Sequence, residues 1–309
     1  MADGLGVSFV TVNRWENGRT RPSDLAVQRL EQLAGSLKPQ KREAASGLPD
    51  FLGSAPAVRL LVEAERLSYG YLANPAFAIE TSRVDPLPHQ RLAVYDYMLP
   101  QERLRFLLAD DAGAGKTIMA GLFLRAGLAR RLVRRVLIVP PAGLIGNWVR
   151  ELRRFFGLEF SLVRGADLRH GNPFTGQGSD HVVCSLDTLA GVAMFSRLQA
   201  SDVEPYDLVV FDEAHKLSAR REPDLTVEKT GRYRLAEALA GVVNDDDPRW
   251  ALDWSTRHLL LLTATPHMGK DFPYYALWRL LEPEALGAFE AFEDYRPEAR
   301  RAHFIRRTK

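Results

Sequence analysis

Ala109-Asp110-Asp111-Ala112-Gly113-Ala114-Gly115-Lys116-Thr117 decides how this chain is read, because Arg105-Phe106-Leu107-Leu108 leads into it and Ile118-Met119-Ala120-Gly121-Leu122 leads out. The pattern predicts a strand, a glycine loop and a helix. Small residues from Ala112 to Gly115 let the backbone curl so that successive N–H groups point inward, and the positive end of the following helix adds to them. A polyphosphate suits such a cradle. Lys116 is expected to reach the β- and γ-phosphates, and Thr117 to hold Mg²⁺. The strict spacing of such loops puts a glycine at the position of Asp110, so the segment alone also fits an ordinary strand-to-helix turn. The stretches downstream decide between the two.

A chain of 309 residues has room for one large α/β domain and a small module. Its 46% hydrophobic and 26% charged residues are the composition of a globular protein. A net charge of +2 does not argue for nucleic acid, so DNA contacts must come from local patches. Arg130, Arg131, Arg134 and Arg135 form one candidate, and Arg150, Arg153 and Arg154 another; each also fits a solvated helix face. The single cysteine, Cys184, lies in an apolar run with no activating base nearby and reads as a buried strand residue. One cysteine, no apolar stretch of ~18 residues and no signal peptide make a cytoplasmic protein without a membrane span the expectation.

Near the N-terminus, Ser8 reads as a helix cap, Val12 and Trp15 as an inward face, and Gly18 as the stop. This segment resembles the turn and recognition helix of the Xre/Cro-type helix-turn-helix, with Ser23 to Leu33 as the next helix. The resemblance implies that Phe9, Thr11, Asn13 and Arg14 enter a DNA major groove. Met1-Ala2-Asp3 aligns with the middle of the preceding helix, so the motif is partial, and a helical appendage that reads no DNA is the competing reading. The expected organisation is a partial helix-turn-helix segment over 1–35, a linker over 36–58 with Gly, Ser, Pro and mixed charge, and a large α/β lobe over 59–309.

From Arg59 to Leu72 the spacing predicts a helix with Leu60, Leu61, Ala64 and Leu67 on one face. Pro86-Leu87-Pro88-His89-Gln90 then opens an amphipathic helix just ahead of the phosphate loop, where the amide of Gln90 can match the donor and acceptor of an adenine edge. Runs at Arg135 to Pro140, Asp180 to Ser185, Tyr206 to Phe211 and His258 to Leu262 predict strands, the first continuous enough to be covered on both faces. The third of these ends in Asp212-Glu213-Ala214-His215. Acids placed there lie at the carboxyl edge of a parallel sheet, where Asp212 can hold Mg²⁺ and Glu213 can orient a water. The last run delivers Thr263-Ala264-Thr265-Pro266. Leu217 to His258 reads as a charged insertion with a helix near Arg232 to Leu239, and the histidines at 170, 258 and 267 as surface or capping residues.

Together, Gln90, Ala109 to Thr117, Val136 to Pro140, Asp212 to His215 and Thr263 to Thr265 resemble the first RecA-like lobe of a superfamily 2 helicase. Pro140-Pro141-Ala142-Gly143-Leu144 with Asn147-Trp148, Ser185-Leu186-Asp187-Thr188, and Phe304-Ile305-Arg306-Arg307-Thr308-Lys309 are most similar to bacterial Swi/Snf-type ATPases. Two branches are close: the RNA-polymerase-recycling ATPases and the helicase-like component of DISARM phage defence. The resemblance implies an α/β fold with a RecA-like parallel sheet and helices on both faces, and ATP and Mg²⁺ as cofactors. It assigns ATP binding to Gln90 and to Asp111, Ala112, Gly113, Ala114, Gly115, Lys116 and Thr117, and metal binding to Thr117 and Asp212. Catalysis falls to Lys116, Asp212 and Glu213, and coupling to His215, Thr263 and Thr265. DNA-backbone contacts fall near Pro141, Gly143, Ser185, Thr188 and His267.

The activity implied is ATP-driven movement on duplex DNA without strand separation. The partners implied are DNA, a second lobe, and RNA polymerase or phage-defence components. Because Lys309 falls where the family's first lobe ends, negligible turnover by this chain alone is expected. The competing reading is a DNA-binding regulator whose lobe is a nucleotide-gated scaffold, or a truncated gene product.

Overall fold

The computed structural model describes residues 54–74, 76–224, 226–242, 247–266, 271–293, 295 and 297–307. Thr11, Asn13, Arg14 and His267, expected to touch DNA, lie outside the described residues, as does the expected helix-turn-helix segment. The chain divides into two compact units, Met1–Leu67 and Ser68–Lys309. The expected helix after the linker forms as α1 (Ala55–Ala73), with Leu60 and Leu61 exposed.

The second unit is built on one parallel sheet. Its strands are β1 (Arg105–Leu108), β2 (Val136–Val139), β3 (Ser161–Val163), β4 (His181–Cys184), β5 (Leu208–Phe211), β8 (His258–Leu262) and β9 (Phe304–Ile305), in the order β3-β4-β2-β5-β8-β1-β9. The five strands expected from the apolar runs are present; β3 and β9 are additions at the two edges. Alternation across the pleat explains why those runs are continuous. Leu107, Leu137, Val209 and Leu261 face one core, while Phe106, Ile138, Val210 and Leu260 face the other.

Helices α2 (Pro88–Leu92), α3 (Lys116–Ala129) and α4 (Ile145–Phe156) belong to the second of these layers, where α3 contributes Met119 and Leu122, and α4 Trp148, Leu152 and Phe156. Helices α5 (Gly231–Ala240) and α6 (Asp271–Leu281) cover the other face through Tyr233, Leu235, Leu239, Leu277 and Trp278. The fold is therefore a RecA-like α/β sandwich of three layers.

Part of the charged stretch expected as an insertion joins the core. A hairpin of β6 (Ala219–Arg221) and β7 (Val227–Lys229) leads into α5, whose Glu237 is fully buried. Lys229 and Arg279 hold that carboxylate at 3.2 and 2.6 Å. Burial pushes the Glu237 carboxyl above the usual range, and the two cations pull it back. A charged sequence can enter a core when its charges are paired there.

His258 is also not a surface residue. It is buried at the start of β8, where its Nδ1 accepts the Leu104 N–H at 2.9 Å. Its pKa is pushed down to about 4, by burial first and then by Arg257. His170 is exposed and Cys184 is fully buried, as expected. For Cys184, burial pushes the thiol up to about 12, so it is no nucleophile.

Candidate functional site

Strand register brings the site together. Leu108 of β1 pairs with Leu262 of β8, Leu261 of β8 with Phe211 of β5, and Phe211 with Val139 of β2. All four strands end at one level, and the residues just past them continue the ladder. Asp212 N–H donates to the Val139 carbonyl (3.2 Å) and Thr263 N–H to that of Leu108 (3.1 Å). The phosphate loop, the Asp212-Glu213 pair and Thr263 therefore share the carboxyl edge of the sheet.

The loop has the backbone that its glycines permit. Gly113 and Gly115 sit at φ +82° and +80°, a region that side chains disfavour. A Cβ on Gly115 would lie 2.3 Å from Gln90 Nε2. Gln90 is buried, and both ends of its amide are engaged. Its oxygen accepts the Leu87 N–H (2.9 Å) and its nitrogen donates to the Ala114 carbonyl (3.0 Å), which His89 Nε2 also meets at 3.1 Å. Thr117 is half-buried in the first turn of α3, and Asp111 is half-buried beside exposed Ala112 and Gly113. Lys116 Nζ donates to the carbonyls of Asp110 (2.8 Å) and Asp111 (3.2 Å).

On the acid side, Asp212 is buried and held by neutral donors. Trp148 Nε1 donates to its Oδ2 (2.8 Å) and the Glu213 N–H to its Oδ1 (2.8 Å). Burial pushes the Asp212 carboxyl above the usual carboxylate range and the charge of Glu213 adds to this, while the Trp148 bond, the Glu213 N–H and Lys116 oppose it. A desolvated carboxylate on neutral donors is a poor resting arrangement and a good one for a cation. Glu213 sits in the left-handed region at φ +51°, a strain of about 1–3 kcal/mol for a residue with a side chain. His215 Nδ1 lies 3.2 Å from Glu213 Oε2 and 3.1 Å from Thr263 Oγ1, and Thr263 Oγ1 in turn accepts the Thr265 N–H (3.2 Å). A chain of contacts thus runs from the end of β5 to the end of β8.

The residues expected at DNA differ in setting. Gly143 is exposed and Pro141 half-buried between β2 and α4. Ser185 is buried as the cap of a one-turn helix, accepting the Thr188 N–H at 3.1 Å and donating to Thr188 Oγ1 at 2.7 Å. Of the two arginine patches, the first does not stay whole. Arg135 is buried and pairs with Asp180 at 2.9 Å instead of facing solvent. The second is exposed along α4, where Arg150, Arg153 and Arg154 join Arg83 around a shallow cavity of about 520 Å³.

Trp148 and Arg307 escaped site assignment by sequence. Trp148 stood in a quoted motif, and only the fold places its indole on Asp212. Arg307 stood in the closing motif, and its side chain reaches back to Asp110 (2.7 Å) across the sheet edge. The two-residue strand that carries it there is too short to leave a periodic signal.

With this geometry in place, comparison with known proteins is specific. A protein-family model described as "Type III restriction enzyme, res subunit" matches residues 83–268. The chain belongs to that family. A helix-turn-helix model matches residues 1–39. The "Uncharacterized ATP-dependent helicase YqhH" of Bacillus subtilis is 32% identical over 68% of this chain and 31% of its own length. The "RNA polymerase-associated protein RapA" of Pectobacterium atrosepticum is 34% identical over 70% of this chain and 21% of its own.

The SWI2/SNF2 ATPase core of Sulfolobus solfataricus, solved with double-stranded DNA, superposes with a TM-score of 0.55 at 18% identity, covering 74% of this chain and 46% of that one. The lobe thus shares the fold of that SWI2/SNF2 core within the family whose model it matches, and a stretch matching the helix-turn-helix model precedes it in the chain. The chain spans about a fifth to a third of the length of the curated relatives it matches. Among the described residues, no helix is long and apolar enough to cross a membrane.

Proposed function

We propose that this lobe binds Mg·ATP and, when closed by a second RecA-like lobe, hydrolyses it to drive movement along duplex DNA. The observation that carries the proposal is the meeting of Lys116, Asp212, Glu213 and Thr263 at one sheet edge, with a curled glycine loop beside them. Loop N–H groups at Ala112, Gly113 and Gly115 and the N-terminus of α3 bind the phosphates. Lys116 exchanges its two carbonyl contacts for phosphate oxygens. Thr117 and Asp212 hold Mg²⁺, which supplies neutralisation of the charge on the phosphate oxygens. Gln90, beside the loop, is the residue for adenine in this reading and would exchange its contacts to Leu87 and Ala114 for the base edge. The carboxylate of Glu213 orients a water toward the γ-phosphorus; the water oxygen bonds to phosphorus, the bond to the bridging oxygen breaks, ADP leaves with that oxygen, and the water's proton is lost through Glu213 as inorganic phosphate forms.

His215 sits between Glu213 and Thr263, so a change at the γ-phosphate reaches the end of β8 and Thr265 through three contacts. Pro141, Gly143, Thr188 and the cap at Ser185 are the lobe's DNA-backbone contacts in this reading, with His267. The exposed arginines of α4 add charge for phosphates. Such contacts carry no sequence information and weaken with salt. In this scheme residues 1–35 are a DNA-directed module, 36–58 a tether and 59–309 the ATP-binding half of the motor.

Titration calorimetry of Mg·ATP into the chain and into Lys116→Ala tests the first step. Loss of binding in the variant is expected, and equal affinity would defeat the reading. Duplex affinity should fall steeply with added salt. Salt-insensitive binding to a single operator would favour a sequence-reading regulator.

A further inference from the structure

The one departure from strict phosphate-loop spacing, Asp110, is fully buried. A carboxylate without solvent is stable only when paired. Its partner is Arg307, just past β9. Arg307 Nη2 meets Oδ2 at 2.7 Å, Nε meets Oδ1 at 3.2 Å, and the Arg307 backbone N–H meets Oδ1 at 2.8 Å. The same guanidinium donates through Nη1 to the His89 carbonyl at 2.6 Å, and the Asp111 N–H returns to the Arg307 carbonyl at 3.3 Å. His89 and Gln90 grip the loop at the Ala114 carbonyl. Arg307 therefore ties both ends of the loop to one point.

The charge matters as much as the geometry. The Asp110 carbonyl holds the Lys116 ammonium at 2.8 Å, so the Asp110 side chain is one residue's backbone away from the group that must receive phosphate. Unpaired, that carboxylate would repel a polyphosphate through a low-dielectric interior. We propose that Arg307 is a positioning residue of the phosphate loop, cancelling the buried charge of Asp110 and fixing the carbonyl on which Lys116 rests. The proposal rests on the nucleotide reading above. It adds that the segment after β9, far from the loop in sequence, controls phosphate affinity.

The test is competition of ATP, ADP and AMP, each with Mg²⁺, against a fluorescent nucleotide on the full chain. Wild-type binding of ATP establishes the nucleotide reading separately; its absence would defeat that reading and this one together. Given that binding, Arg307→Ala should weaken ATP at least about tenfold, as truncating one partner of a buried charge pair does. ADP should lose less and AMP least, because the penalty scales with ligand charge. Adding Asp110→Asn to Arg307→Ala should restore most of the ATP affinity. A general loss of packing would do neither, lowering all three ligands alike and leaving the double variant as weak as the single one; that result overturns the proposal. If Arg307→Ala does not fold, Asp110→Asn alone decides. It leaves an uncancelled cation and should bind ATP at least as tightly as wild type, whereas weaker binding overturns charge cancellation.

Discussion

The two ends of the same strands carry buried polar groups of opposite character. At the amino edge, Arg105 donates to the carbonyls of Ala240 (3.0 Å), Leu280 (3.2 Å) and Thr256 (2.8 Å). Arg135 lies between Asp180 and the Tyr206 ring, Asp207 accepts two backbone N–H groups, and His258 takes that of Leu104. Each is held by partners fixed in the fold. At the carboxyl edge, Lys116 rests on carbonyls, Asp212 on neutral donors, and Glu213 in a strained backbone. Asp212 there is buried on neutral donors, whereas Asp110 at the same edge has its counter-charge in Arg307. The first arrangement stabilises a sheet; the second leaves binding energy to be collected by a ligand. Burial alone does not tell structure from function. Arg105 rests on carbonyls just as Lys116 does, so what sets the carboxyl edge apart is the strained backbone of Glu213 and a buried Asp212 held by neutral donors.

The sharpest way to break this contrast is at the carboxyl edge. Supplying a second lobe should raise DNA-stimulated turnover by about 10³ to 10⁵, the worth of an arginine finger in related enzymes. Glu213→Gln in that assembly should keep ATP bound and lose turnover. Fast hydrolysis by the single lobe, above about one per second, would mean that the edge is complete by itself.

At the amino edge, Arg105→Ala should cost about 3 kcal/mol of stability in denaturant unfolding, because buried carbonyls lose their donor. It should leave ATP affinity unchanged. A change in nucleotide binding without loss of stability would erase the distinction between the edges.

Trp148→Phe probes the boundary between the two kinds of partner. A smaller aromatic ring stays and the N–H donor to Asp212 goes, so the Asp212 carboxyl should rise further and Mg²⁺-dependent ATP affinity should fall about tenfold, the worth of a hydrogen bond to a charged group. Because a raised carboxyl is protonated earlier as pH falls, the loss of affinity on acidification should begin at higher pH in this variant than in wild type. Superimposable pH profiles would remove Trp148 from the site.

The smallest effect belongs to His258. Its folded pKa, about 4, lies below the ordinary 6.5, so the unfolded chain binds the proton first. Its contribution to stability is complete above pH 6.5 and is lost as pH falls toward 4. His258→Asn keeps an acceptor for Leu104 and cannot titrate, so its thermal unfolding should vary less between pH 7 and 5. An unchanged slope would assign acid sensitivity elsewhere.

Much of this was legible in the chain. Four-residue runs such as Val136 to Val139 announce a strand buried on both faces, and Gly113 and Gly115 announce a backbone that only glycine adopts readily. Both follow from local chemistry. Less was legible in Leu217 to His258, which read as a charged insertion without a role, whereas the pairing of Glu237 with Lys229 and Arg279 lets α5 join the core. Pairing partners 8 and 42 residues away leave no mark on local periodicity.

The sequence by itself determined the order of strands and loops, the phosphate loop and its acids, and the helicase family, because each depends on residues adjacent in the chain. Tertiary structure alone decided which buried charges are settled and which await a ligand. Trp148 reaches Asp212 across 64 residues and Arg307 reaches Asp110 across 197. Strand order at the sheet edge sets those meetings, and strand order is a property of how helices pack the two faces, not of any single segment.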